Sequence, residues 1–163
     1  MDGDTLFEIG SISKVFTGLL LELMIERGDM RLDDPISKFL PASVKTPTTG
    51  GKEITLRNLV THTAALPLSP SNVARRPGGD YLADYTDEKL YAMLSNYTPP
   101  LEIGKRFEYS SVGFTLLGHL ISLKAGTNYE TLLVSQICEP PGNEQHAYDA
   151  LTGIKGPPRQ GRW

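Results

Sequence analysis

The sequence predicts a mainly helical chain with one or two short strands, and three observations carry that reading. Two apolar stretches recur with helical steps of three and four, one between Ser11 and Gly28 and one from Val112 to Leu123. Threonines stand where helices would begin, at Thr55, Thr86 and Thr127. Glycine or a proline pair stops the apolar stretches, at Gly28, Pro99-Pro100, Gly126 and Pro140-Pro141. At 163 residues the chain fits one domain, and 39% hydrophobic with 21% charged residues are ordinary globular proportions.

Each element follows in order. Thr5 to Ile9 is short, apolar and β-tolerant, so it reads as the end of a strand that Gly10 breaks. Ile12, Val15, Phe16, Leu19, Leu20, Leu23 and Met24 then trace one face of a helix closed by Gly28. Ile36 to Leu40, between Pro35 and Pro41, has room for a short helical turn. Thr46 to Lys52 reads as a polar loop made flexible by Gly50-Gly51, and Thr55 caps a short helix through Leu56, Leu59 and Val60. Leu66 to Asp80, rich in proline and glycine, reads as a long surface loop. Thr86-Asp87-Glu88 opens a helix to about Asn96, its acidic first turn matched to the helix dipole. A long apolar helix follows Tyr109, and Thr127-x-x-Glu130 reads as a capping box opening a helix to about Cys138. Asn143 to Trp163 carries Gly, Pro, Arg and Gln without a period and reads as an irregular tail.

Composition excludes several functions. Sixteen Lys and Arg against nineteen Asp and Glu give a net charge of -3, which leaves no excess positive charge for a nucleic-acid partner. One cysteine, Cys138, forms no internal disulfide, and its apolar neighbours make it a small buried side chain. His62, His119 and His146 fit no metal-ligand spacing, so no bound metal is expected. No apolar run approaches the roughly 18 residues of a membrane span. Two aspartates follow Met1 within three residues, a start unlike a signal peptide.

The segment with most chemistry in it is Ser11-Ile12-Ser13-Lys14. A serine on the opening turn of a helix meets unpaired N–H groups that favour developing negative charge. A lysine three positions on shares nearly the same face and can meet the hydroxyl. With 11 Ser and 8 Lys in the chain, chance supplies about 0.5 such tetrads, so the spacing alone does not distinguish a nucleophile from a cap beside a solvated lysine.

Context distinguishes them. The run from Leu6 to Thr17 resembles the active-site segment of the serine β-lactamase-like family, whose S-x-x-K motif matches Ser11 and Lys14. The resemblance is to class C β-lactamases, D-amino-acid peptidases and β-lactamase-like esterases. Gly28 to Ile36, Ile54 to Thr63 with its Thr-His-Thr, and Phe107 to Gly118 around Tyr109 resemble further family segments in the family's order. The resemblance implies an α+β fold, a helical subdomain against an antiparallel sheet, of which this chain holds mainly the helical part. It implies Ser11 as the acyl-accepting nucleophile, Lys14 and Tyr109 as sharers of base and proton-shuttle work, and the Ser11 N–H as an oxyanion donor. Lys14 is then the cation expected to lower the Tyr109 pKa. The Thr-His-Thr match makes His62 structural, while His119, on an apolar helix, reads as a core or boundary histidine.

The departures carry information too. Ser111 stands where the β-lactamase branch has Asn, so it is the expected substrate-binding position, shorter and with one donor fewer. That change favours small esters relative to β-lactams. Ala64-Ala65 stands where the family prefers Ser-Gly, a structural change near a turn. The family's strand motif K-T-G or H-x-G has no counterpart, because Lys155-Gly156-Pro157 carries a proline that a central strand excludes. The expected organisation is a partial β-lactamase-like domain over residues 1–142 and a tail over 143–163, as a truncated or frameshifted reading frame would produce. The expected function is hydrolysis of β-lactams or small esters through an acyl-enzyme on Ser11, with no cofactor. The rival is a non-catalytic helical fragment that self-associates as a homo-oligomer, or that is only acylated by penicillin. Family members are mostly exported in bacteria, and the chain itself leaves the compartment open.

Overall fold

A computed structural model describes residue 5, residues 7–73, residue 82 and residues 84–138. Among the described residues five α-helices run in the order α1 (Ser13–Glu26), α2 (Leu56–Val60), α3 (Asp87–Asn96), α4 (Ser111–Ala125) and α5 (Tyr129–Leu133). A 3-10 turn, Gly10–Ile12, leads into α1, another spans Ile36–Lys38, and a π-helical turn, Val134–Cys138, continues α5. Strands β1 (Thr48–Thr49) and β2 (Lys52–Glu53) form an antiparallel hairpin, with Thr48 opposite Glu53 and Thr49 opposite Lys52. Among the described residues no helix is long and apolar enough to cross a membrane.

Helix α4 is the central element. Its Val112, Leu116, Leu117, Leu120 and Ile121 are all buried, and so are Gly113, Gly118, His119 and Ser122. A helix apolar on nearly every side has to be surrounded, and α1, α2 and α5 pack against it. Leu20, Leu21 and Met24 of α1, Leu56 and Leu59 of α2, and Leu90, Met93 and Leu94 of α3 complete one core with Met30, Ile36, Ile54 and Ile103 from the connections. The helix ends are set locally. Thr55 and Asn58 form a reciprocal capping box on α2, and the side chains of Thr86 and Ser110 accept the Lys89 and Gly113 N–H groups. Gly28, at φ 76°, closes α1 with its N–H on the Ile25 carbonyl and the Asp29 N–H on that of Met24.

Several expectations change. Residues 7–9 form no strand, because no neighbouring chain among the described residues offers them a ladder. The polar loop at 46–52 contains the hairpin, its two-residue turn made by Gly50 and Gly51, both at positive φ. The last capping residue is Asn128, which accepts the Thr131 N–H, and not Thr127. The predicted apolar face of α1 also divides. Of it, Leu20 and Met24 are buried, Phe16 and Leu23 half-buried, and Ile12, Val15 and Leu19 60%, 67% and 45% exposed, while Thr17 and Leu21, outside that face, are buried. The segment is apolar on two sides, so periodicity did not select the side that packs on α4. The loop from Leu66 is irregular through residue 73, and residues 74–80 and the tail at 143–163 lie outside the described residues.

Candidate active site

Gly10 takes φ 53°, a left-handed conformation open to glycine, and turns the chain so that Ser11 stands exposed on the opening turn ahead of α1. Backbone N–H groups of such a turn precede any intrahelical acceptor. The Ser11 Oγ lies 2.7 Å from the Tyr109 hydroxyl, a contact across 98 positions of sequence. One turn along α1, the half-buried Lys14 directs Nζ to the same Oγ at 3.5 Å. That Nζ also sits over two rings, 5.2 Å from the Tyr109 centroid and 5.7 Å from that of Phe114. The three side chains named from sequence therefore meet at one oxygen.

The electrostatics differ in one respect from the expectation. The Tyr109 phenol is held below its ordinary pKa first by its hydrogen bond with Ser11 and second by the Lys14 ammonium. Both the serine O–H and the Lys14 side chain act on the phenol oxygen directly, the serine more strongly. A phenolate beside a serine hydroxyl is a proton acceptor in place, and the ammonium beside both favours the charged pair.

Tyr109 is held by its neighbours in sequence. Ser110 is buried, its hydroxyl donates to the Pro67 carbonyl at 2.6 Å, and its Oγ accepts the Gly113 N–H at 2.9 Å. It thereby caps α4 and anchors the end of the Tyr109 segment. His62, on the turn after α2, accepts the Glu108 N–H on its carbonyl and the Ser110 N–H on Nδ1. Sequence reasoning missed Ser110, although a serine directly before an apolar helical run is an N-cap signal.

Other sequence-predicted residues lie differently. Ser111 is the first residue of α4, half-buried, with its N–H on the Leu68 carbonyl at 3.2 Å. Its hydroxyl takes no part in the hydrogen bonds that join Ser11, Lys14 and Tyr109. His119 is deep in α4, its Nε2 2.7 Å from the Tyr91 hydroxyl and its Nδ1 3.5 Å from an Asp87 oxygen. Burial holds that imidazole below its ordinary pKa while Asp87 pulls the other way. Cys138 is buried. An open cleft of about 470 Å³ is lined by Asp33, Lys52, Glu53, Thr55 and Asn58, among others, and by none of the three clustered residues. Of its charges, Asp33 pairs with Arg57 and Lys52 with Glu102, and Glu53 accepts the Ser37 hydroxyl. The reactive geometry is at Ser11 and not in that cleft.

Comparison with known proteins identifies the family of the chain. A model of the Beta-lactamase family matches residues 1–157. The D-alanyl-D-alanine-carboxypeptidase/endopeptidase AmpH of Escherichia coli K12 is 34% identical over 146 residues, 89% of this chain and 37% of that protein. A β-lactamase of Pseudomonas fluorescens is 34% identical over 80% of this chain and 33% of its own length. Among solved structures, a β-lactamase/D-alanine carboxypeptidase from Yersinia pestis superposes with a TM-score of 0.73 at 28% identity, over 85% of this chain and 39% of that one. A class C β-lactamase from Rhodobacter sphaeroides gives 0.66 at 34% identity, over 84% and 35%. The α+β fold expected from the resemblance is the serine β-lactamase fold of these neighbours. The chain spans about a third of the length of these curated relatives, 37% and 33%, and its described residues supply helices and one hairpin. Family model, relatives and fold agree, and the chain belongs to the Beta-lactamase family.

Proposed function

We propose that the protein is a serine hydrolase that acts through an acyl-enzyme on Ser11. The observation that carries this reading is the 2.7 Å contact between the Ser11 and Tyr109 oxygens with Lys14 Nζ beside them. In the proposed step the Tyr109 phenolate takes the Ser11 proton as Oγ attacks a carbonyl carbon. The C–N bond of a β-lactam, or the C–O bond of an ester, breaks, and the proton passes from Tyr109 to the leaving atom. Water then gives a proton to the Tyr109 phenolate as it attacks the acyl-serine, the C–Oγ bond breaks to release the acid, and the proton passes from Tyr109 to Ser11 Oγ. Ser111, two positions after Tyr109, is the proposed substrate-facing residue. The names of relatives, β-lactamases and a D-alanyl-D-alanine carboxypeptidase, support a carbonyl substrate of this class.

Intact-protein mass spectrometry of the full chain, with a penicillin and separately with an activated short-chain ester, tests the proposal. An added acyl mass that Ser11→Ala lacks is the expected result, and its decay separates a hydrolase from a protein that is only acylated. No adduct from folded protein, or an equal adduct on Ser11→Ala, overturns it. A second reading, a helical module that self-associates without catalysis, is favoured by the exposed Ile12, Val15 and Leu19 of the α1 segment. Light scattering on a size-exclusion column decides that reading, and a monomer at micromolar concentration removes it.

A further inference from the structure

His62 sits at φ 56°, a left-handed conformation uncommon for a side-chain-bearing residue. That turn aims two acceptors of one residue at the same stretch of chain. The His62 carbonyl accepts the Glu108 N–H at 2.8 Å, and Nδ1 accepts the Ser110 N–H at 3.1 Å. Residues 108 and 110 are the two neighbours of Tyr109, so both N–H groups that flank the tyrosine are bound to His62. The imidazole also lies against the Tyr109 ring, with centroids 4.5 Å apart and planes 32° apart. Phe114 at 5.0 Å and Phe107 at 5.5 Å enclose the imidazole on its other sides. The backbone and ring of Tyr109 therefore both rest on one histidine.

We propose that His62 is a positioning residue for Tyr109 and performs that task only as the neutral imidazole with its proton on Nε2. The inference rests on the reading of Ser11, Lys14 and Tyr109 as the acylation site. The chemistry is that of an acceptor. Nδ1 holds the Ser110 N–H through its lone pair, and protonation would set an N–H against an N–H and break that bond. Among the described residues the charged and titratable groups facing the ring are Lys14 from α1 and Tyr109 itself; Phe107 and Phe114 are uncharged. Burial first, and the Lys14 ammonium second, hold the imidazole below its ordinary pKa of 6.5. His62 is thus neutral at pH 7, and acidification through its depressed pKa releases Tyr109 from its support. Acylation accordingly falls on the acid side for a reason separate from the ionisation of Tyr109.

Two substitutions and two spectra test this on the full chain. Asparagine accepts the left-handed backbone and offers Oδ1 to the Ser110 N–H, yet it does not titrate. His62→Asn is expected to acylate with penicillin within about tenfold of the unaltered chain and to lose the acid limb at His62. His62→Phe keeps an aromatic face without an acceptor, and is expected to lose about 10²-fold, as displaced catalytic groups do. Independently of any acylation, 15N spectra of ring-labelled histidine should show an unprotonated, hydrogen-bonded Nδ1 on His62 at neutral pH. In 13C titrations of ring-labelled tyrosine, His62→Phe should shift the Tyr109 midpoint toward its ordinary value while His62→Asn shifts it less. A protonated Nδ1 at neutral pH, an acid limb unchanged in His62→Asn, or a Tyr109 midpoint unmoved in His62→Phe overturns the proposal. If His62→Phe does not fold, the His62→Asn profile and the 15N spectrum decide alone. Absence of acylation in the unaltered chain, with both spectra as expected, would remove the Ser11 reading and leave the positioning role standing.

Discussion

Replacing Tyr109 with phenylalanine removes one oxygen and leaves the ring. The ring keeps its place against His62 at 4.5 Å and under Lys14 Nζ at 5.2 Å. What is lost is the 2.7 Å contact with the Ser11 Oγ. Because Tyr109 is 41% exposed, no buried polar partner is stranded, and stability should change by no more than about 0.5 kcal/mol. The chemical cost is far larger. A positioned proton acceptor is worth about 10²–10⁴-fold, which at 1.36 kcal/mol per decade is about 3–5 kcal/mol of barrier. The pH dependence carries a sign that can be worked out. The phenol pKa is held down, first by Ser11 and second by Lys14, and only the phenolate accepts a proton. Acylation should therefore rise with pH up to that depressed pKa and level off beyond it, below the ordinary tyrosine range. Tyr109→Phe should lower the whole curve and flatten this limb. The assay is the rate of penicilloyl mass gain across pH, with thermal melting to show equal folding. A rate within about threefold of the unaltered chain would refute Tyr109 as the proton acceptor.

Four further outcomes follow from the same structure. Lys14→Met keeps an apolar stem and removes the ammonium, so the Tyr109 titration and the acylation curve should move to higher pH; an unmoved midpoint would mean that Lys14 does not reach the phenolate. Ala65 takes φ 52° in a buried turn, where glycine carries no Cβ penalty, so Ala65→Gly should stabilise by about 1 kcal/mol, read as a Tm rise of about 2–4 °C; a lower Tm would contradict it. Leu116→Ala empties a fully buried site of α4 and should cost about 2–5 kcal/mol in urea unfolding, whereas Val15→Ser, at a 67% exposed site, should stay within about 0.5 kcal/mol. His119 and His62 both have imidazoles held below the ordinary 6.5, so the unfolded chain binds protons that the folded chain refuses. Stability should be full above about pH 6.5 and fall as pH drops below it; urea midpoints that stay constant through that window would refute the assignment.

Much of the fold is legible because helix ends are local. Thr55, Thr86 and Gly28 each act on N–H or C=O groups within a few residues, and the structure puts all three where the sequence does. The misses have the same origin. The β1–β2 strands are two residues long, too short for any alternation, and only the Gly50-Gly51 pair marked them. Thr127 and Asn128 are both good caps, and the choice between them is a matter of how α5 meets α4, where Tyr129 also lies against Gly118 and hydrogen-bonds Thr17 of α1.

By itself the sequence determined the helices, the caps at Thr55, Thr86 and Gly28 and, through four motif resemblances in order, the family and the three residues Ser11, Lys14 and Tyr109. Spacing ties Ser11 to Lys14 because one helical turn separates them. No spacing ties Ser11 to Tyr109 across 98 positions, or Tyr109 to His62; packing of α1 and α2 on α4 decides both. The same packing decides which side of the α1 segment is buried, since Leu20 and Ile12 are equally apolar and differ only in what lies opposite them. Local hydrogen bonds obey short-range rules written in the chain, whereas the site depends on which surfaces the core brings into contact.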